Sequence, residues 1–286
     1  MKHQAISSLM KEFWGDFIKN RLAMVGLAIV IGLLLVAIFA PFLAPQDPTL
    51  QSLPDKRAKP GGKYILGADE FGRDILSRLI YGTRVALFVG IVSIAIALFF
   101  GIILGTISGY FEGFADNLIM RAIDILLAFP YLLLAIAVVS AIGPGILNTT
   151  IAVGIWATPG FARIVRASVI TIKQADYIQA ANALGASNAR IIFLEIMPNF
   201  ISPIIVYSTL YMANAILVEA ALSFLGLGVQ PPTPSWGLMV SSGRDFLLSA
   251  PHIATIPGIA IMITVLGFNL LGDGLRDSLD PKLRNL

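Results

Sequence analysis

In the polar stretch between residues 169 and 199, Asp176 stands three residues before Gln179, the form of a capping box that starts a short helix. Gly185 is placed to end that helix in the left-handed conformation, and Ser187 to cap a second helix running to Pro198. The first helix carries Ala180, Ala181 and Ala183, with Leu184 before the glycine. Such small side chains leave backbone accessible, as in a short helix seated in a groove of another protein. An ordinary connecting loop is the alternative.

The other residues with chemical capacity are ionisable groups inside apolar surroundings, where charge is costly and needs a reason. Asp124 follows Arg121 by three residues on one helix face, and Arg163 and Arg166 close a later apolar stretch on the same side. These four predict an ion pair or small network, either a fixed anchor or a gate that opens. Glu219 lies near one end of another apolar stretch, where its carboxylate is placed to snorkel toward water, with a substrate or proton site as the alternative.

Several chemistries are excluded. No GxxxxGK[ST] loop is present to cradle nucleotide phosphates, so the chain by itself is not expected to hydrolyse ATP. His3 and His252 lack the spacing that sets two imidazoles on one helix face, and no GxSxG nucleophile elbow occurs. Cysteine is absent, which removes disulfides, thiolate metal sites and Cys nucleophiles together.

The elements that must position these residues are membrane helices. Of 286 residues, 57% are hydrophobic and 13% charged, far from soluble composition. The net charge of +3 demands no nucleic-acid partner. Six apolar stretches have the length needed to cross about 30 Å of hydrocarbon: 22–44, 85–110, 118–142, 146–168, 200–222 and 253–273. The third and fourth form a tight hairpin broken at Gly143-Pro144-Gly145. A slight cytoplasmic excess of Lys and Arg places both termini and 169–199 inside, and 45–84 and the Pro-rich 223–252 outside. Residues 111–117 read as a short loop.

In the first outer segment Asp69 is placed to cap a helix with Ile75, Leu76, Leu79 and Ile80 on one face, lying along the membrane surface or packed on the bundle. Gly101, Gly105 and Gly109 make a stripe that admits another helix closely. Pro130, Pro159 and Pro257 mark kinks or hinges within spans.

The 179–198 segment resembles the coupling motif of type I ABC importer permeases: E-A-A, three residues, G, nine residues, I-x-L-P. Here Gln179-Ala180-Ala181, Gly185 and Glu195-Ile196-Met197-Pro198 keep the spacing, with Gln, Glu and Met replacing Glu, Ile and Leu. Leu66-Gly67-Ala68-Asp69, Gly72 to Arg78, Ser223 to Gly228, Gln230 to Gly237, Gly272 to Asp277 and Leu279-Asp280-Pro281 are similar to the C-type permease of dipeptide, oligopeptide and nickel importers.

The resemblance implies an all-α polytopic membrane protein with the type I permease fold. Its parts would be a tail and first span over 1–60, an amphipathic outer segment over 61–84, a core over 85–275 and a cytoplasmic tail over 276–286. It also implies a B-type permease partner, two ATPase subunits that use the ATP and Mg, and an extracytoplasmic substrate-binding protein, in the cytoplasmic membrane of a prokaryote. Docking to the ATPase would fall to Asp176, Gln179, Ala180, Ala181, Ala183, Leu184, Gly185 and Pro198. No cofactor is expected in this chain. Dipeptides or oligopeptides are the expected cargo, with nickel chelates, glutathione or oligosaccharides as alternatives; an ion-coupled secondary transporter is the rival class.

Overall fold

The computed structural model describes residues 14, 15 and 17–279, and among them helices and connecting turns carry the whole fold, with two isolated β-bridges. The tail residues before Trp14 and the Leu279-Asp280-Pro281 motif beyond its first residue lie outside the described residues. Helix α1 spans Arg21–Ile38, opened by Asn20, whose Oδ1 accepts from the amides of Leu22 and Ala23 at 3.1 Å. Helix α2, Ile75–Phe111, runs 37 residues, about 55 Å at 1.5 Å per residue. Then follow α3 (Gly113–Ala128), α4 (Tyr131–Ile142), α5 (Ile146–Lys173) and the short α6 (Asp176–Ala183). Helix α7 (Ile201–Phe224), α8 (Trp236–Gly243) and α9 (His252–Leu279) complete the chain.

The expected surface helix over part of 61–84 is not separate. Residues from Ile75 onward continue straight into the second span because no proline interrupts α2, and Arg78, Gly82, Thr83 and Arg84 are carried within the helix. Its cap is Asp74, not Asp69: the Asp74 carboxylate accepts from the amide and hydroxyl of Ser77 at 2.8 and 2.6 Å. Asp69 instead folds the preceding turn, accepting from the amides of Phe71 and Arg73 at 2.9 Å and from Arg73 Nε at 2.6 Å. The turn is secured to α2 by Arg78, whose Nε lies 3.5 Å from the Asp69 carboxylate while its guanidinium donates to the Pro48 carbonyl at 3.0 Å. Farther out, Asp55 accepts from Lys63, Ser52 and Tyr64, and these bonds hold its carboxyl down to about 2.

The third expected span is also different. It is two helices, α3 and α4, meeting at a bend of 97°. Pro130 has no amide to donate and disfavours a helical Phe129, so α3 ends one residue earlier and α4 restarts in a new direction. Four helical stretches are long and apolar enough to span a membrane, and a fifth is counted if the bent pair is one span. Helix α5 has the length, 28 residues, but Asn148, Thr149, Thr150, Thr158, Arg163 and Arg166 dilute its apolarity. It is placed by packing: Ala152, Val153, Ala157, Phe161, Ala162, Val165 and Val169 are all fully buried.

Two seams of small residues hold the bundle. Along the first, a Cβ built on Gly101 would stand 2.5 Å from Phe161 Cβ, and one on Gly105 2.5 Å from the Ala162 carbonyl oxygen. One on Gly109 would stand 2.9 Å from the Arg166 carbonyl oxygen. The α2 and α5 backbones therefore touch over two helical turns, as the stripe predicted. The second seam joins α1 to α9, where Gly26 meets the Leu271 amide and Gly267 meets Ile29.

Because Gly105 faces backbone, which cannot rotate away, Gly105→Val is expected to cost at least about 1–3 kcal/mol, the usual range for overpacking. Gly32→Ala, with nothing within 4 Å of the added methyl, is expected not to lower stability. Thermal unfolding of the two variants in detergent checks the contrast; equal melting temperatures would show that the seam does not depend on the missing side chain.

Candidate functional site: a suspended helix and its ionic anchor

Helix α6 projects from the end of α5 and is held by one deeply buried side chain. Ile178 packs with Tyr110, Val165, Val169, Ile191, Ile196, Phe200 and Ile204 in a core separate from that of the membrane bundle. Around it, Asp176, Gln179, Ala180 and Ala183 are exposed, Ala181 is half-buried, and Leu184 keeps 89% of its surface. The helix ends as expected. Gly185 takes φ +80°, its amide donates to the Asn182 carbonyl at 3.0 Å, and the Ala186 amide donates to the Ala181 carbonyl at 3.1 Å, a complete Schellman stop. Ser187 Oγ then accepts from the Arg190 amide at 3.4 Å.

The start of α6 departs from expectation. Asp176 is the first helical residue rather than the cap, which falls to Ala175, and Gln179 reaches back to the Gln174 carbonyl at 3.1 Å. Ala175 takes the extended conformation in place of Asp176, and the Gln179 side chain ties the start of α6 to the end of α5 instead of closing a box. Beyond Ser187 the chain forms one α-turn, a π-type turn over Ile191–Ile196 and a 3₁₀ turn over Met197–Phe200 that includes exposed Pro198. These turns lead directly into α7.

Three helix ends meet around α6 through charge. Arg166 grips Asp116 with two bonds of 2.6 Å, and Ser108 donates to the same carboxylate. Lys173 donates to the Tyr110 carbonyl at 2.7 Å and to Glu112 at 3.0 Å, holding Glu112 at φ +54° where α2 turns into α3. Tyr110 Oη in turn donates to Asn188 Oδ1 at 3.0 Å, and Asn199 donates to Tyr177 Oη at 3.3 Å. Helix α6 is thus braced on α2, α5 and the turns before α7.

Of the four ionisable residues singled out in the sequence, the structure joins Asp124 to Arg163 at 2.5 Å. It separates Arg166, which takes Asp116, and it leaves Arg121 outside the ion pairs of the described residues. Both members of the Asp124 pair are 54% exposed within this chain, so the pair is not the desolvated anchor expected. The more enclosed anchor is Asp116 with Arg166. Asp116 escaped the sequence reading because 111–117 was assigned no helix face, whereas α3 begins at Gly113 and places Asp116 in its first turn.

Glu219 does not snorkel. It is 1% exposed, and its Oε1 accepts from Ser223 Oγ at 2.7 Å and Ser235 Oγ at 3.1 Å. Ser223 Oγ also accepts from the Val229 amide at 3.1 Å, so the carboxylate fastens the 223–235 loop to α7. The signal was there in the two serines of Ser223-Phe224 and Ser235-Trp236, but the fold-back that joins them is not local. Trp236 completes the clasp by donating to the Leu79 carbonyl at 3.0 Å.

A bundle of apolar helices with a braced helix projecting from one end defines a membrane-spanning permease of the type I ABC importer fold. Two solved structures share that fold at 16% identity. The inward-facing MetNI methionine ABC transporter matches with a TM-score of 0.57 over 71% of this chain and 97% of that one. An amino acid ABC transporter matches with a TM-score of 0.54 over 73% and 94%.

The chain belongs to the family described as binding-protein-dependent transport system inner membrane component, whose model matches residues 101–285. Residues 8–60 match the N-terminal TM domain of oligopeptide transport permease C. Similar relatives include the di/tripeptide transport system permease protein DppC of Pseudomonas aeruginosa, 47% identical over 97% of this chain and 94% of that protein. The dipeptide transport system permease protein DppC of Haemophilus influenzae is 46% identical over 96% and 95%. The glutathione transport system permease protein GsiD of Pectobacterium atrosepticum is 43% identical over 100% and 95%.

The two ion pairs are expected to differ in weight. Asp116→Asn loses a bidentate charged contact and is expected to cost about 1.5–3 kcal/mol, whereas Asp124→Asn loses a half-exposed pair worth up to about 1 kcal/mol. Thermal melts of both variants decide the order, and a larger loss for Asp124→Asn would reverse the assignment of the anchor.

Proposed function

We propose that this permease supplies half of the pathway of a peptide importer and that α6 is its docking element for a cytoplasmic ATPase. The carrying observation is the form of α6: eight residues, mostly exposed, stopped by a left-handed glycine, with Ile178 its one buried side chain. Such a helix can fill a groove while transmitting force through its braces to α2, α5 and α7. Asp176, Gln179, Ala180, Ala181, Ala183, Leu184, Gly185 and Pro198 form or flank the docking surface. The family match implies a second permease, ATPase subunits and a binding protein; the pairing with a B-type permease and two ATPases is part of the proposal. Hydrolysis of ATP belongs to those subunits.

Di- and tripeptides are the cargo supported by the names of the full-length relatives. Glutathione, itself a tripeptide, is the second reading, favoured by the 43% identical relative. In this arrangement α6 and both termini lie in the cytoplasm, while 45–74 and 225–251 form the outer surface toward the binding protein.

Ala181→Asp would bring a charge against the ATPase groove, and Gly185→Val would place a β-branched side chain at positive φ, a cost of about 1–2 kcal/mol. Neither touches the membrane bundle. Both variants are expected to insert and pair normally, yet to lose ATPase co-purification or to hydrolyse ATP without uptake in reconstituted vesicles. Full ATP-driven uptake by both would remove α6 from the coupling role.

A further inference from the structure

At the middle of the bundle, five aromatic rings from three helices are stacked into one patch. Trp156 of α5 lies nearly parallel to Tyr211 of α7, centroids 5.4 Å apart at 23°, and Tyr211 meets Tyr207 at 4.4 Å. Tyr131, the first residue of α4 after the bend, reaches Trp156 at 5.6 Å. Fully buried Phe161 supports the patch from behind, edge-on to Tyr207 at 4.9 Å. Gly160 leaves room for the tyrosine tips: a Cβ there would stand 2.8 Å from Tyr211 Oη and collide with Tyr207 Oη. Pro159 beside it withholds the amide that would otherwise satisfy the Ile155 carbonyl.

The depth of the patch is what makes it informative. Trp156 lies about 15 Å along α5, Tyr211 about 15 Å along α7, and Tyr131 at the mid-span bend. Tyr and Trp facing lipid settle at membrane interfaces, where their polar ends reach water, not at mid-depth. Yet Tyr131 is 50% exposed and Trp156, Tyr207 and Tyr211 are only partly buried. Two helical turns farther along the same face of α5, Arg163 and Asp124 form their half-exposed ion pair. Polar-tipped rings and a charged pair in one stripe are incompatible with hydrocarbon on that face. Both are satisfied if the stripe lines an aqueous path.

We infer that Trp156, Tyr131, Tyr207 and Tyr211 form a transient subsite for the passing peptide, an inference that rests on the peptide reading of the cargo. Flat ring faces stack on amide planes and pack apolar side chains, and they attract an ammonium terminus. The hydroxyls offer hydrogen bonds to peptide carbonyls. With no formal charge among its rings, the patch accepts side chains by size and apolarity rather than by charge.

The test uses the assembled importer with any partner cysteines replaced, and the absence of native cysteine in this chain makes single probes clean. Cysteines replacing Trp156 or Tyr211 are expected to react with a small charged methanethiosulfonate, while cysteines replacing the exposed apolar Phe99 and Ile263 do not. Binding protein loaded with leucyl-phenylalanine, with ATP present, is expected to slow the reaction at 156 and 211. In uptake, Trp156→Ala is expected to reduce leucyl-phenylalanine transport about 5–10-fold, in line with loss of one stacking contact, and diglycine transport less than about twofold. Trp156→Phe should restore most of the loss.

Cysteines at 156 and 211 as unreactive as those at 99 and 263 would mean that lipid or the partner permease covers the patch, and would overturn the subsite. So would equal loss of both peptides without rescue by Trp156→Phe, which marks packing alone. A wild-type importer that transports neither peptide defeats the cargo reading first, a failure visible without any variant.

Discussion

The contact on which the structure depends is the backbone seam between α2 and α5. Gly101, Gly105 and Gly109 remove side chains at every turn of α2, so its surface lies directly against Phe161, Ala162, Val165 and Arg166. In a membrane there is no hydrophobic drive between apolar helices, and close van der Waals approach must supply association. That requirement explains why α5 can carry Thr, Asn and Arg and still hold a central position. Its place is set by fit to α2 rather than by partition into lipid.

The seam also determines what can move together. Helix α6 continues from α5 after two residues; Lys173 to Tyr110 and Glu112 joins α5 to α2 beyond the last glycine of the stripe, and Tyr110 to Asn188 ties α2 to the turn that follows α6. These contacts give force applied at α6 a short path to α2 and α5. Softer points lie elsewhere: at Pro130, where the path turns by 97°, and at Pro159, beside the aromatic patch. Under the proposed coupling role, α6 and the part of α5 beyond Pro159 would move with α2 as one unit. The end of the bundle opposite α6 is secured separately by Glu219 and the Asp69, Arg73 and Arg78 turn.

What was legible in the sequence was local. The glycine stripe is a four-residue period, the stop at Gly185 needs only a residue tolerant of positive φ, and span lengths follow from apolar runs. What was not legible depended on where distant segments meet. Asp176 resembled a cap, but the helix begins one residue earlier, with Ala175 in the extended cap position. Glu219 read as a snorkelling group because Ser235 is sixteen positions away, and only the folding back of the 223–235 loop encloses it. Asp116 gained its meaning from Arg166, fifty residues on. The 37-residue length of α2 was hidden because Arg78 and Arg84 break the apolar run without breaking the helix.

The most direct measurement of that coupling is a distance between spin labels on α2 and α6. Phe111→Cys and Asn182→Cys place both labels at sites exposed in this chain, which has no native cysteine to compete. Rigid coupling predicts the same electron-electron distance distribution in the assembled importer without nucleotide and with ATP trapped. A shift on the scale of a helical turn, about 5 Å, would show that α6 moves relative to α2 and would contradict a single body held by the glycine seam.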